Sequence, residues 1–91
     1  MLTYQEVIEF SGLTVEEIDA IAEHEHVPEL VAAEMGHYLL ECPDGVPCIK
    51  RIILDDIAMA ERSGHTEHAL QLKQVLKHFI RTHPQHNAQT A

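Results

Sequence analysis

Helix-start and helix-stop residues recur along this chain at intervals too short for any long helix. No segment alternates apolar and polar residues as a half-buried strand must. Thr3 is followed three residues later by Glu6, and Thr14 by Glu17; both pairs have the capping-box spacing. Gly12, followed by apolar Leu13, reads as a helix stop. Pro28 suits the first turn of a third helix, and CPDGVP at 42–47 is a turn. Ser63-Gly64 ends a fourth helix, Thr66 is placed to cap a fifth, and Pro84 stops that one. The predicted helices are therefore 3–11, 14–25, 28–41, 47–62 and 65–82. At 91 residues the chain is expected to form one domain. The expected fold is all-α, a compact bundle of about five short helices. The last two should form an antiparallel hairpin across the short link at 63–65. The domain is expected to cover residues 1–83, with PQHNAQTA at 84–91 as a disordered tail.

At 100° per residue each helix shows which face it should bury. The fifth presents Ala69, Leu72, Val75, Leu76, Phe79 and Ile80 inward, and Lys73, Lys77 and Arg81 outward, where cations also suit a helix C-terminus. The fourth buries Ile49, Ile52, Ile53, Ile57 and Ala60. The second has Val15, Ile18, Ile21 and Ala22 on its apolar face; continued helically, that face would reach Glu25. The third is apolar nearly all round, with Val31, Ala32, Ala33, Met35, Tyr38, Leu39 and Leu40. Its polar stripe is Glu34, His37 and Glu41. Such a helix is central in its fold or covered by a partner.

Charge is segregated. Residues 1–49 hold eleven Asp and Glu and no Lys or Arg, whereas residues 50–91 hold all six basic residues and four acidic ones. The net charge of −9 therefore divides into an N-terminal half near −11 and a C-terminal half near +2. An acidic half repels phosphate backbones and anionic membranes and favours cations, basic partners or the basic half of another copy. No apolar run approaches the ~20 residues that cross a bilayer. The N-terminal MLTYQEVIEF lacks a basic region ahead of an apolar one, so no signal peptide is expected. Cys42 and Cys48, with five residues between them across a turn, do not have metal-ribbon or thioredoxin-like spacing; free thiols in a reducing cytosol are expected, with a regulatory disulfide or zinc ligation with a histidine as alternatives.

Eight histidines raise the question of metal. EHEHVPELVAAEMGH, residues 23–37, contains Glu23-x-x-His26 and Glu34-x-x-His37. A helix offers two ligands from one face at that spacing. The paired motifs resemble the ligand set of ferritin-like di-iron proteins. The resemblance implies Glu23, His26, Glu34 and His37 as ligands, with His24, Glu25 or Asp56 completing the set. An N/O set of this kind suits Zn, Fe or Ni. The motifs depart from that family in starting eleven residues apart, on short helices split by Val27-Pro28. Asp56 stands out independently. It falls between Ile49 and Ile52 on the buried face of the fourth helix, where an unpaired carboxylate is costly and partners are required. His68 is on the inner side of the fifth helix, about one turn out of level with it.

EVIEFSGLTVEEIDAI resembles a helix-turn-helix, but its second helix would carry Glu16, Glu17, Asp19, Glu23 and Glu25 with no cation, so DNA reading is not expected. The chain has no G-x-S-x-G nucleophile motif and no Gly-rich phosphate loop. The expected function is a non-catalytic cytosolic interaction or regulatory module. It should self-associate or bind a protein partner with a basic surface, with Leu54 and Leu70 as further surface candidates. A metal-binding protein is the alternative.

Overall fold

A computed structural model describes residues 3–84 and contains five helices among them: α1 (Tyr4–Ser11), α2 (Val15–Glu25), α3 (Glu29–Glu41), α4 (Gly45–Arg62) and α5 (Thr66–Thr82). Residues 85–91 of the expected tail lie outside the described residues. Both capping boxes form. Thr3 Oγ1 accepts from the Glu6 amide at 3.1 Å while the Thr3 amide donates to Glu6 Oε1 at 2.8 Å. Thr14 and Glu17 repeat the exchange at 3.1 and 2.9 Å. Each box satisfies two amides that a helix start otherwise leaves open.

The helix ends explain the small departures from expectation. α4 begins at Gly45 rather than 47, because Pro47 still falls in the first turn, where its missing N–H costs no helical bond. α5 is preceded by His65 as its cap residue, not by Thr66, and no side chain caps it. α2 stops at Glu25, and His26 turns the chain in the left-handed region with φ of 58°. Glu25 therefore stays exposed instead of continuing the apolar face. Pro28 precedes α3 as its cap residue.

α4 and α5 form the expected antiparallel hairpin and share the largest helix–helix contact. α2 lies against α3 and α4, and α1 packs on α3. Ile18 and Ile21 of α2, Ala32 and Ala33 of α3, Ile49 and Ile53 of α4, and Phe79 of α5 are fully enclosed. All five apolar positions expected inside α4 are buried. Two expectations fail at the margin. Val15 and Ile80 are exposed, and on α2 Ala20 is buried instead of Val15. α3 is central, yet Tyr38 is 68% exposed and Val31 is also exposed, so its apolar surface is only partly covered by this chain. No helix among the described residues is long and apolar enough to cross a membrane.

Gly45 sets the α3–α4 corner. A Cβ there would overlap the Leu39 carbonyl, which is backbone and cannot rotate away. Gly64, in the hairpin link with φ of 78°, has open space around its Cβ position. Gly45→Ala should therefore destabilise the fold by about 2–3 kcal/mol through overpacking. Gly64→Ala should cost only about 1–2 kcal/mol of backbone strain. Thermal denaturation should show a Tm drop of ~10 °C or more for Gly45→Ala and a smaller one for Gly64→Ala.

Candidate functional site

The second and fifth helices face one another across an open groove of about 650 Å³. The helical period brings Glu16, Asp19, Ala20 and Glu23 of α2 to one wall. His68, Gln71, Leu72, Gln74, Val75 and His78 of α5 form the other. Ala20 and Leu72 are buried and Val75 is half-buried, so the floor is apolar and the α2 rim is acidic.

Two carboxylate–imidazole pairs tie the walls together. Glu23 Oε1 and His68 Nε2 are 2.9 Å apart, and Glu17 Oε2 and His78 Nδ1 are 3.1 Å apart. An ionised carboxylate only accepts, so the imidazole N–H donates in both. Glu17 is 1% exposed. Its burial is tolerated because one oxygen takes the Thr14 amide, the other takes His78, and the charge sits at the positive end of α2. Glu17→Ala removes both bonds and should cost about 1–3 kcal/mol, with Glu17→Gln milder. Urea denaturation of the two variants checks the size and the order.

Behind the Glu23–His68 pair lies Asp56. It is 4% exposed, and its Oδ2 has no hydrogen-bond partner. Burial, and next the negative charge of Glu23, push its pKa up to about 7; Asp55 adds to the rise, while His24 and His68 oppose it. His24 places Nδ1 2.8 Å from Glu25 Oε2 and Nε2 3.1 Å from Asp55 Oδ2. Only the imidazolium has two N–H donors, so both bonds form together when His24 is charged. Burial works against that cation, but the bonds to Glu25 and Asp55 and the nearby Asp56 and Glu25 charges prevail, and its pKa is raised. The pKa of His68 is raised chiefly by its bond to Glu23, against partial burial. On the rim, burial and then the Glu16 charge raise the pKa of Asp19.

These shifts act in one direction. Asp56 in the fold holds its proton from its ordinary value of 3.8 up to about 7. His24 and His68 hold theirs above the ordinary 6.5. In each window the folded chain binds more protons than the unfolded one, so stability falls as pH rises. Stability should therefore be higher at pH 6 than at pH 8.5. Asp56→Asn should flatten the profile and stabilise the protein at pH 8.5 by on the order of 2 kcal/mol. Denaturant titrations of both proteins at the two pH values measure this.

Only part of the residue set singled out from sequence comes together. Glu23 and His24 lie near enough to Asp56 to act on its charge, and Glu25 is bonded to His24; of the four only Glu23 lines the groove. They are joined by Asp55 and His68, which pattern reading did not assign to the set. His26 is separated from Glu23 by the end of α2, so the first Glu-x-x-His never forms one helical face. Glu34 and His37 lie on the exposed stripe of α3, where His37 Nε2 is 3.6 Å from Glu41 Oε2 one turn on. No group of three or more His, Cys, Asp or Glu side chains among the described residues is arranged to hold a metal ion. Cys42 and Cys48 are free thiols, the first half-buried and the second exposed. Glu17 and His78 pair across 61 positions of sequence, which no local pattern signals. Comparison of the chain with protein-family models, curated proteins and solved structures found no match.

Proposed function

We propose that the protein is a non-catalytic interaction module whose α2–α5 groove takes a basic, amphipathic segment of a protein partner. The observation that carries this reading is the acidic rim over an apolar floor. Glu16 and Asp19 line the groove, and among the described residues neither has a cation within ion-pair distance. A Lys or Arg side chain fits such a surface, laying its aliphatic stem on Ala20, Leu72 and Val75 and its charge against the rim. The acidic rim also disfavours nucleic acid and anionic lipid. The alternative of a Zn, Fe or Ni site built on the Glu-x-x-His pairs gains no support from this arrangement, because the ring nitrogens of His24 and one nitrogen of His68 are already held by carboxylates.

A helical peptide with Lys at every fourth position and Leu between them is a direct probe. Calorimetric titration should show binding in the micromolar range that weakens at least tenfold in Glu16→Lys/Asp19→Lys. It should also weaken with added salt, as exposed charge pairing does. An acidic peptide of the same pattern should not bind. Equal binding of both peptides, or no binding of the basic one at millimolar concentration, would overturn the reading.

A further inference from the structure

The basic segment that fits this groove is present on the chain itself. The outward side of α5 carries Leu70, Lys73, Lys77, Ile80 and Arg81, all exposed. At 100° per residue they fall within a stripe about 100° wide. Lys73, Lys77 and Arg81 span eight residues, about 12 Å of helix. Glu16, Asp19 and Glu23 on the groove rim span seven, about 10.5 Å. Lys73 has one exposed ion pair, with Glu61 at 2.9 Å. Lys77 and Arg81 have no carboxylate within ion-pair distance among the described residues, as Glu16 and Asp19 have no cation. Two unmatched cations, four residues or about 6 Å apart, and two unmatched anions, three residues or about 4.5 Å apart, therefore stand on different elements of one molecule.

We infer that the occupant of the α2–α5 groove is the outer face of α5 from a second copy of this chain. The inference rests on the groove being an interaction surface. The α5 wall of the groove, His68, Gln71, Leu72, Gln74, Val75 and His78, adjoins the cationic stripe on the helix surface but shares no residue with it. One copy cannot place its own stripe in its own groove. The contact is heterologous, groove of one molecule to α5 of the next, and an open assembly leaves one free groove at one end and one free stripe at the other. Leu70 and Ile80 flank the cations and add apolar contact, and the segregated charges of the two halves orient the approach.

The test is sedimentation velocity of the full chain from micromolar to millimolar concentration at low and high salt, with two variants. Glu16→Lys/Asp19→Lys spoils the groove and keeps the stripe; Lys77→Ala/Arg81→Ala spoils the stripe and keeps the groove. The wild type should self-associate, less so at high salt. Each variant alone should associate at least tenfold more weakly. An equimolar mixture should form a 1:1 heterodimer that grows no further, because it pairs the one intact groove with the one intact stripe. Circular dichroism establishes that both variants are folded. Self-association that survives either variant, or variants that fail to complement when mixed, would overturn the inference. A wild type monomeric at millimolar concentration would also overturn it. Titration with the basic peptide then separates the two ideas: binding leaves the groove an interaction surface for another partner, and no binding removes both.

Discussion

The buried carboxylate of Glu17 links the local and tertiary levels of this structure. One oxygen closes the Thr14 box at the start of α2, and the other reaches His78 on α5. α2 and α5 share only a small direct contact, and this bond and the Glu23–His68 pair bridge the two helices. A carboxylate enclosed to this degree is accommodated because each oxygen has a donor and the helix start lies beneath it. The groove between the helices, and every reading built on it, depends on that junction.

Asp56 shows the opposite solution to the same problem. It too is a carboxylate on a buried face, but one oxygen has no donor, and nearby Glu23 and Asp55 add repulsion. The group responds by holding its proton to about pH 7 rather than by pairing. Two buried carboxylates thus differ in surroundings: Glu17 has a donor at each oxygen, whereas Asp56 Oδ2 has none. The thinness of the fold, 17 Å along its shortest axis between Cα atoms, brings these groups close to the surface and to one another.

Much of the fold was legible in the sequence, because its signals are local. Thr3, Gly12, Thr14 and Pro28 act within a few residues of themselves, and the helices they delimit begin and end within two residues of expectation. The faces of α4 followed from periodicity for the same reason. Periodicity failed where burial depends on a neighbour. Val15 and Ile80 have apolar positions on their helices but are only partly covered, and Tyr38 lies on an apolar helix yet is largely in solvent. The candidate site was half legible. Asp56 was marked by a charge on an apolar face, and Glu23, His24 and Glu25 by their density of acids and imidazoles. His26, Glu34 and His37 share that density but not the location, since a left-handed turn at His26 sends the chain away.

By itself the sequence determined the helices, their limits and the division into an acidic and a basic half, because caps, turns and charges act through the chain's own bonds and composition. The tertiary structure alone decided which helices oppose one another. Pairs such as Glu17–His78 and Glu23–His68 join residues 61 and 45 positions apart. Their formation depends on the packing of α2 and α5 around a shared apolar core, and burial of that core is non-directional and leaves no local mark in the residues it brings together.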